Sequence, residues 1–281
     1  MKTLPFVETM ITQVCNLSCP GCTNYSDLTH AGYVTWDQGK RWLSPWLERV
    51  EIQDFGIMGG EPLINPEYDQ WISGVRELMP RAQIRFTTNG RLLNKRPQVV
   101  EQLADIGNCI FKITLHQEDF EIREQIDSIF NRYEWQEVRE YGMVRWKTDN
   151  DFRFQINKPE TFIKTYQGPY HDMRPWQSDP VRAFDRCCQQ TCPLLYQGKI
   201  YKCSTAGLLK DTLERFDNPN HSEWKPYIDE GIGAECSDAE LAAWLDNFGR
   251  PHSMCGQCPT SEDSDSVILH WNKVYDKQKQ G

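Results

Sequence analysis

Hydrophobic and polar positions switch repeatedly between a period of two and a period near 3.6 over the first 157 residues. Val7 to Thr12 reads as a short strand. From Thr35 to Val50, Trp42, Leu43, Trp46, Leu47 and Val50 recur at helical spacing, behind Thr35 and Gln38, the pair that makes a capping box. Pro45 predicts a kink there. Asp54 to Met58 is the next strand. Asn65-Pro66 then offers an N-cap and a first-turn proline for a helix carrying Trp71, Ile72, Val75, Leu78 and Met79, stopped by Pro80. The alternation continues with a strand at Ala82–Thr87, a helix at Gln98–Ile106 ended by Gly107, and a strand at Ile110–Leu115. A helix at Asp119–Tyr133 carries Ile122, Ile126, Ile129, Phe130 and Tyr133. Short strands at Met143–Lys147 and Phe152–Asn157 complete the set.

Strands alternating with helices imply an α/β fold whose parallel strands are joined by right-handed crossovers. The sheet is either open or curled into a partial barrel. From about Pro159 the texture changes: Pro, Gly, Trp and Cys become frequent and long helices are not expected. A boundary near 170–186 divides residues 1–180 from 181–281. In the second part Leu195–Cys203 reads as a hairpin turning at Gln197-Gly198, and Asp238–Phe248 as a short helix.

The formal charge of −9 over 281 residues, without a basic run, argues against nucleic acid or an anionic membrane as main partner. No apolar stretch reaches the roughly 20 residues of a membrane span, and the first residues lack the apolar centre of a signal peptide. A cytoplasmic protein is expected. Eleven cysteines, an odd number, point to metal or redox chemistry rather than a disulfide framework. Three lie at 15–22, one at 109 and seven at 187–258, which suggests two metal sites. Cys109, on a predicted strand, is expected to be packed rather than reactive.

The first group, Cys15-x3-Cys19-x2-Cys22, follows the first strand. Three thiolates in eight residues can hold three corners of a cubane cluster and leave the fourth iron open, whereas most clusters take four cysteines. Gly59-Gly60-Glu61-Pro62 follows the second strand and Thr87-Thr88-Asn89-Gly90 the third. Three motifs in this order, each at the C-terminal end of a strand, resemble the radical S-adenosylmethionine (SAM) superfamily over roughly residues 7–157. The resemblance implies a partial (β/α)6 TIM-like barrel. It also implies that Cys15, Cys19 and Cys22 hold a 4Fe-4S cluster whose open iron chelates SAM, yielding a 5′-deoxyadenosyl radical on reduction. Gly59, Gly60, Glu61 and Pro62 would then serve the cofactor, Glu61 receiving its amino group, together with Thr88, Asn89, Gly90 and His116, the last on the ribose. Gly21 stands where many members have an aromatic residue, and Tyr25 is the candidate replacement ring. A structural zinc loop is the alternative, but it leaves the two glycine-containing motifs unexplained.

The second group is Cys187, Cys188, Cys192, Cys203, Cys236, Cys255 and Cys258. A cysteine on the return strand of a hairpin, followed by the Cys255-x2-Cys258 knuckle, is similar to the twitch-type auxiliary-cluster extension of several radical SAM enzymes, among them cyclitol dehydrogenases and sulfatase-maturing enzymes. It implies a small, loop-rich, cluster-binding C-terminal domain. A second 4Fe-4S cluster is expected on Cys188, Cys203, Cys255 and Cys258, with Cys187 or Cys192 as replacements for Cys188. A zinc ribbon on the same ligands is the alternative. Cys192 and Cys236, left over, are candidate hydrogen-atom donors, as in radical SAM epimerases.

Within the strands, Lys112, Thr114 and His116 separate from Phe111, Ile113 and Leu115; likewise Arg153, Gln155 and Asn157, and Arg85 and Thr87. A polar interior face suits a polar, hydroxyl-rich or anionic substrate. The expected activity is hydrogen abstraction from a sugar, cyclitol or peptide, giving oxidation or epimerisation. The alternatives are a peptide-modifying maturase and a non-catalytic zinc or iron–sulfur binding protein. A reductase such as flavodoxin or ferredoxin is the expected protein partner.

Overall fold

The computed structural model describes residues 1–28, 30–116, 120–140, 143–159, 161–263, 268–270 and 275–276. Strand β1 (Lys2–Met10) is followed by β2 (Leu17–Ser18), α1 (Trp36–Leu47), β3 (Val50–Met58), α2 (Tyr68–Leu78) and β4 (Gln83–Thr88). Next come α3 (Gln98–Ile106), β5 (Cys109–Thr114), α4 (Phe120–Arg132), β6 (Gln136–Glu140), β7 (Met143–Lys147), β8 (Phe152–Asn157) and β9 (Thr161–Ile163). Beyond these lie α5 (Pro180–Arg186), β10 (Leu194–Tyr196), β11 (Lys199–Tyr201), α6 (Ser204–Arg215), α7 (His221–Ile228), β12 (Ile232–Gly233) and α8 (Asp238–Asp246). Residues 268–270 pair with β9, and 275–276 with β2.

The main sheet runs β12-β11-β10-β1-β3-β4-β5-β8-β7-β6. Its middle, β10-β1-β3-β4-β5-β8, is parallel, and antiparallel pairs extend both flanks. This is the expected α/β architecture. One face is apolar and carries the helices. Leu43 and Trp46 of α1, Trp71, Ile72 and Val75 of α2, and Val99 and Leu103 of α3 are buried there with Val7, Phe55, Ile57, Phe86, Phe111 and Phe154. Each such side chain contributes about 1.5–3 kcal/mol on leaving water. The opposite face presents Glu8, Asp54, Arg85, Lys112 and Gln155 to the concave side. The period-two alternation of the strands thus divides core from site.

Several boundaries differ from the sequence expectation. The Thr35–Gln38 capping box is present, but α1 ends at Leu47 and Val50 opens β3. Asn65 does not cap α2, which starts at Tyr68. Its amide instead donates to the carbonyls of Ile11 and Val34, both at 2.9 Å, tying the ends of two segments. Long helices do not vanish after Pro159: α6 runs for 12 residues, burying Leu208, Leu209, Thr212 and Leu213. The hairpin turns at Gln197 and Gly198 as expected, with φ of 50° and 80°. Its first strand joins the main sheet beside β1. Among the described residues, no helix is long and apolar enough to cross a membrane.

Candidate active site

The cysteine loop leaves β1 and is held by the turn after β3. The Gly60 N–H donates to the Thr12 carbonyl at 2.7 Å and the Glu61 N–H to the Val14 carbonyl at 2.8 Å. A Cβ on Gly60 would stand 2.5 Å from the Val14 oxygen, and one on Gly59 2.6 Å from the Thr12 oxygen. The two glycines therefore permit close approach of backbone to backbone. Within the loop the Leu17 N–H donates to the Cys15 Sγ at 3.4 Å, and the Cys22 N–H to the Cys19 carbonyl at 3.1 Å. Cys15, Cys19 and Cys22 gather in one small apolar cluster with Leu17 and Phe162.

Glu61 is fully buried. Its carboxylate accepts from Thr88 Oγ1 at 2.7 Å, the Asn89 N–H at 2.8 Å and the Leu63 N–H at 3.1 Å. Burial pushes the carboxyl up to about 7, against the three donors, which favour the charged form. Glu61 thus joins the turn after β3 to the turn after β4. Pro62 opens the short 3-10 turn that follows. From the other side, Asn89 Nδ2 donates to Asn16 Oδ1 at 2.8 Å and to Cys15 Sγ at 3.8 Å. Gly90, at φ 82°, lets the chain turn away.

These turns border a cavity of about 590 Å³. Its walls include Cys15, Cys19, Cys22, Gly59, Gly60, Thr88, Asn89, Lys112, His116, Cys187, Cys188, Cys203 and Cys258. The His116 ring stacks on Phe162 at 5.6 Å. Its Nδ1 is buried and has no hydrogen-bond partner among the described residues, and burial lowers the ring to about 4, so it is neutral at pH 7. Glu61, Pro62, Gly90, Tyr25, Cys192, Cys236 and Cys255 are not on these walls. Tyr25 is buried in a second core with Tyr166, Met173, Leu208 and Trp224. Gly21, on the wall, has a φ of 74° that strains any larger residue, and a Cβ there would lie a tight 3.3 Å from the Lys164 backbone. Cys236 packs at the margin of the main core, and its carbonyl accepts from Arg49 Nη1 at 2.9 Å.

The second cysteine group converges more selectively than its spacing indicates. The thiols of Cys187, Cys203, Cys255 and Cys258 lie within electrostatic reach of one another. Burial pushes Cys187 to about 11 and Cys203 to about 12, and raises Cys255 and Cys258 as well. Backbone N–H groups of Gln189 and His252 donate to Cys187 Sγ at 3.2 Å and Cys255 Sγ at 3.4 Å. Cys188, on the cavity wall, lies within electrostatic reach of Glu8 and Lys112, as does Cys192 behind the wall. Sequence reasoning left Asn16, Phe162 and Glu8 out of the site. Glu8, a charge in mid-strand at an inward position, carried a signal that could have found it.

Residues 9–141 match the family model of the Radical SAM superfamily, and this stretch is a radical SAM superfamily domain. The chain is also similar to the GTP 3′,8-cyclase of Sulfurovum sp. (strain NBC37-1), 24% identical over 128 residues, 44% of this chain and 38% of that protein. The GTP 3′,8-cyclase of Mycobacterium ulcerans (strain Agy99) is 33% identical over 106 residues, 34% of this chain. The chain spans only 27% of that relative's length. Among solved structures, BtrN in complex with AdoMet and 2-DOIA superposes with a TM-score of 0.52 at 14% identity, covering 96% of this chain and 100% of BtrN. That likeness is one of fold.

Proposed function

We propose that the chain is a radical SAM enzyme that abstracts hydrogen from a polar substrate, a sugar, cyclitol or peptide. In this reading it carries a second four-iron cluster on Cys187, Cys203, Cys255 and Cys258. The observation that carries the proposal is one cavity onto which both cysteine groups open, with a polar sheet face between them. Bound at Cys15, Cys19 and Cys22, a 4Fe-4S cluster with SAM supplies reductive cleavage of the sulfonium and the hydrogen-abstracting radical. The residues present fit such groups. Asn89 and the Leu17 N–H donate to Cys15 sulfur, which stabilises a thiolate ligand. As thiolates these four neighbouring sulfurs would repel one another, and a cationic cluster core would offset that repulsion. Among the described residues no three Cys, His, Asp or Glu side chains converge tightly enough for a single metal ion; a cubane takes its cysteines at wider separations.

The chain's own residues bind and orient. Glu61 locks the two cofactor-side turns together, and His116 offers a neutral ring nitrogen to a ribose or substrate hydroxyl. Thr114, Asn157 and Lys112 line the substrate side. Residues 1–180 supply the first cysteine group and 181–281 the second. An external reductase of the flavodoxin or ferredoxin type supplies electrons. The GTP chemistry of the curated relatives is not carried over, because the alignments span 38% of their length or less.

Anaerobic reconstitution followed by reduction with SAM tests the reading. Iron and sulfide matching two four-iron clusters, and formation of 5′-deoxyadenosine, are expected. Cys19→Ala abolishes the nucleoside; an unchanged yield overturns the first site. Cys187→Ala loses one cluster's iron and Cys188→Ala does not; the reverse pattern, or zinc in place of iron, overturns the second. The product's mass then separates oxidation, which removes two hydrogens, from epimerisation, which removes none.

A further inference from the structure

The concave face of the sheet is an ordered array of charge with one member left over. Arg85 pairs with Asp54, and its guanidinium lies over the Phe6 ring at 4.8 Å. Arg153 Nε pairs with Asp151 Oδ1 at 2.8 Å. Arg145 Nε donates to Gln155 Oε1 at 2.9 Å. Lys112 lies between these groups on β5, opposite Thr87 on one side and Gln155 on the other. Its ammonium has no hydrogen bond or ion pair among the described residues, and the residue lines the cavity. Arg85 and Arg145 repel it, and Glu8 and then the Cys192 thiol attract it.

Glu8 is a poor counterion. Burial pushes its carboxyl up to about 7, so at neutral pH it is only partly ionised. Apart from their cysteines, the cavity walls add a single carboxylate. Their carboxylate, Asp27, accepts a 2.5 Å hydrogen bond from the Tyr170 hydroxyl. A second cation on the walls, Arg186, donates to the Thr260 carbonyl at 2.6 Å. Cysteines aside, the walls of this chamber thus carry two cations, Lys112 and Arg186, against one carboxylate, Asp27, in a chain of net charge −9. A half-buried ammonium without a partner is costly, and the cost is relieved when a ligand brings an anionic oxygen to it.

We infer that the substrate carries a carboxylate or phosphate group, and that Lys112, on the floor of the cavity, receives it. The inference rests on the proposed function. It narrows the substrate from polar to anionic and makes Lys112 the residue that selects for charge. SAM has a carboxylate of its own. Lys112 is two residues deeper along β5 than Thr114 and four deeper than His116, away from the mouth where the cysteine loop and the turns at 59–61 and 88–90 stand. It is therefore assigned to the substrate and not to SAM.

The test is calorimetric titration of reconstituted, SAM-loaded protein with malonate, inorganic phosphate and uncharged glycerol. Malonate, phosphate or both should bind, naming the anion class, and glycerol should not. Lys112→Met should weaken anion binding by about tenfold or more, since a charge-assisted hydrogen bond is lost. Lys112→Arg should restore most of it, and the SAM dissociation constant should stay within about twofold. Anion binding unchanged in Lys112→Met overturns the inference. So does an equal loss of SAM affinity, which would give Lys112 to the SAM carboxylate. Should the variants not fold, acetic anhydride labelling of the wild-type protein decides. Malonate or phosphate should protect Lys112 several-fold while exposed Lys40 is unaffected; equal labelling refutes the assignment. Anion binding in a protein that forms no 5′-deoxyadenosine would count against the proposed function and leave Lys112 standing.

Discussion

At the scale of single residues, Glu61 illustrates how a motif can be legible while its role is not. The Gly-Gly-Glu-Pro segment could be located from its place after the second strand. The carboxylate, however, spends its acceptors on Thr88, Asn89 and Leu63. Such partners lie 27 and 28 residues away for two of the three contacts, and periodicity carries no information about them. The folded chain holds this proton up to about 7, against 4.5 for an ordinary glutamate. The folded state binds it more tightly than the unfolded state. The contribution to stability is therefore fullest below about 4.5 and falls as pH rises through about 7. Glu61→Gln should flatten that part of the pH profile of thermal unfolding, leaving a residual slope of the same sign from Glu8. It should also destabilise the fold by about 1–3 kcal/mol at low pH, because its amide turns a donor towards a buried N–H. An unaltered slope would mean that Glu61 does not titrate in this range.

At the scale of elements, the strongest periodic segments were read correctly and the tightest contacts between them were not. The capping box at Thr35 and the glycine stop at Gly107 are local devices, visible in a few adjacent residues. Helix α6 was missed because a reading dominated by cysteines and prolines took the region for loop, although Leu208, Leu209 and Leu213 mark its buried side. The packing of α1 on α2 depends on glycines that look like defects. A Cβ on Gly39 would fall 1.9 Å from the ring of Trp71, and one on Gly74 2.1 Å from the ring of Trp36. The two rings meet edge to face at 5.2 Å. By helix propensity alone Gly39→Ala would stabilise α1 by about 0.5–1 kcal/mol. The ring of Trp71 is buried and cannot swing aside, so a loss of about 1–3 kcal/mol is expected instead. Urea denaturation measures it, and a gain in stability would mean that the two helices can move apart at no cost.

At the scale of the whole molecule, the sequence divides at residue 180, while the sheet runs through that division. Strand β10 lies parallel to β1, with the Glu8 N–H donating to the Pro193 carbonyl at 2.9 Å. Leu195, Ile200 and Leu241 belong to the same buried core as α1 to α3, and Trp46 Nε1 donates to the Gly198 carbonyl at 2.9 Å. A composition shift reports where the chemistry of the chain changes, and strand pairing between residues 186 apart leaves no trace in it. A fragment ending at residue 180 would expose the β1 edge and part of that core, the combination that drives strand-to-strand association. It would also remove Cys187, Cys188, Cys203 and Cys258 from the cavity wall. The fragment should elute as oligomers or aggregates in size-exclusion chromatography, and its β1 amides should exchange hydrogen far faster than in the full chain. Were it a stable monomer with β1 still protected, residues 1–180 would fold independently and the β10 pairing would be an accessory to the sheet.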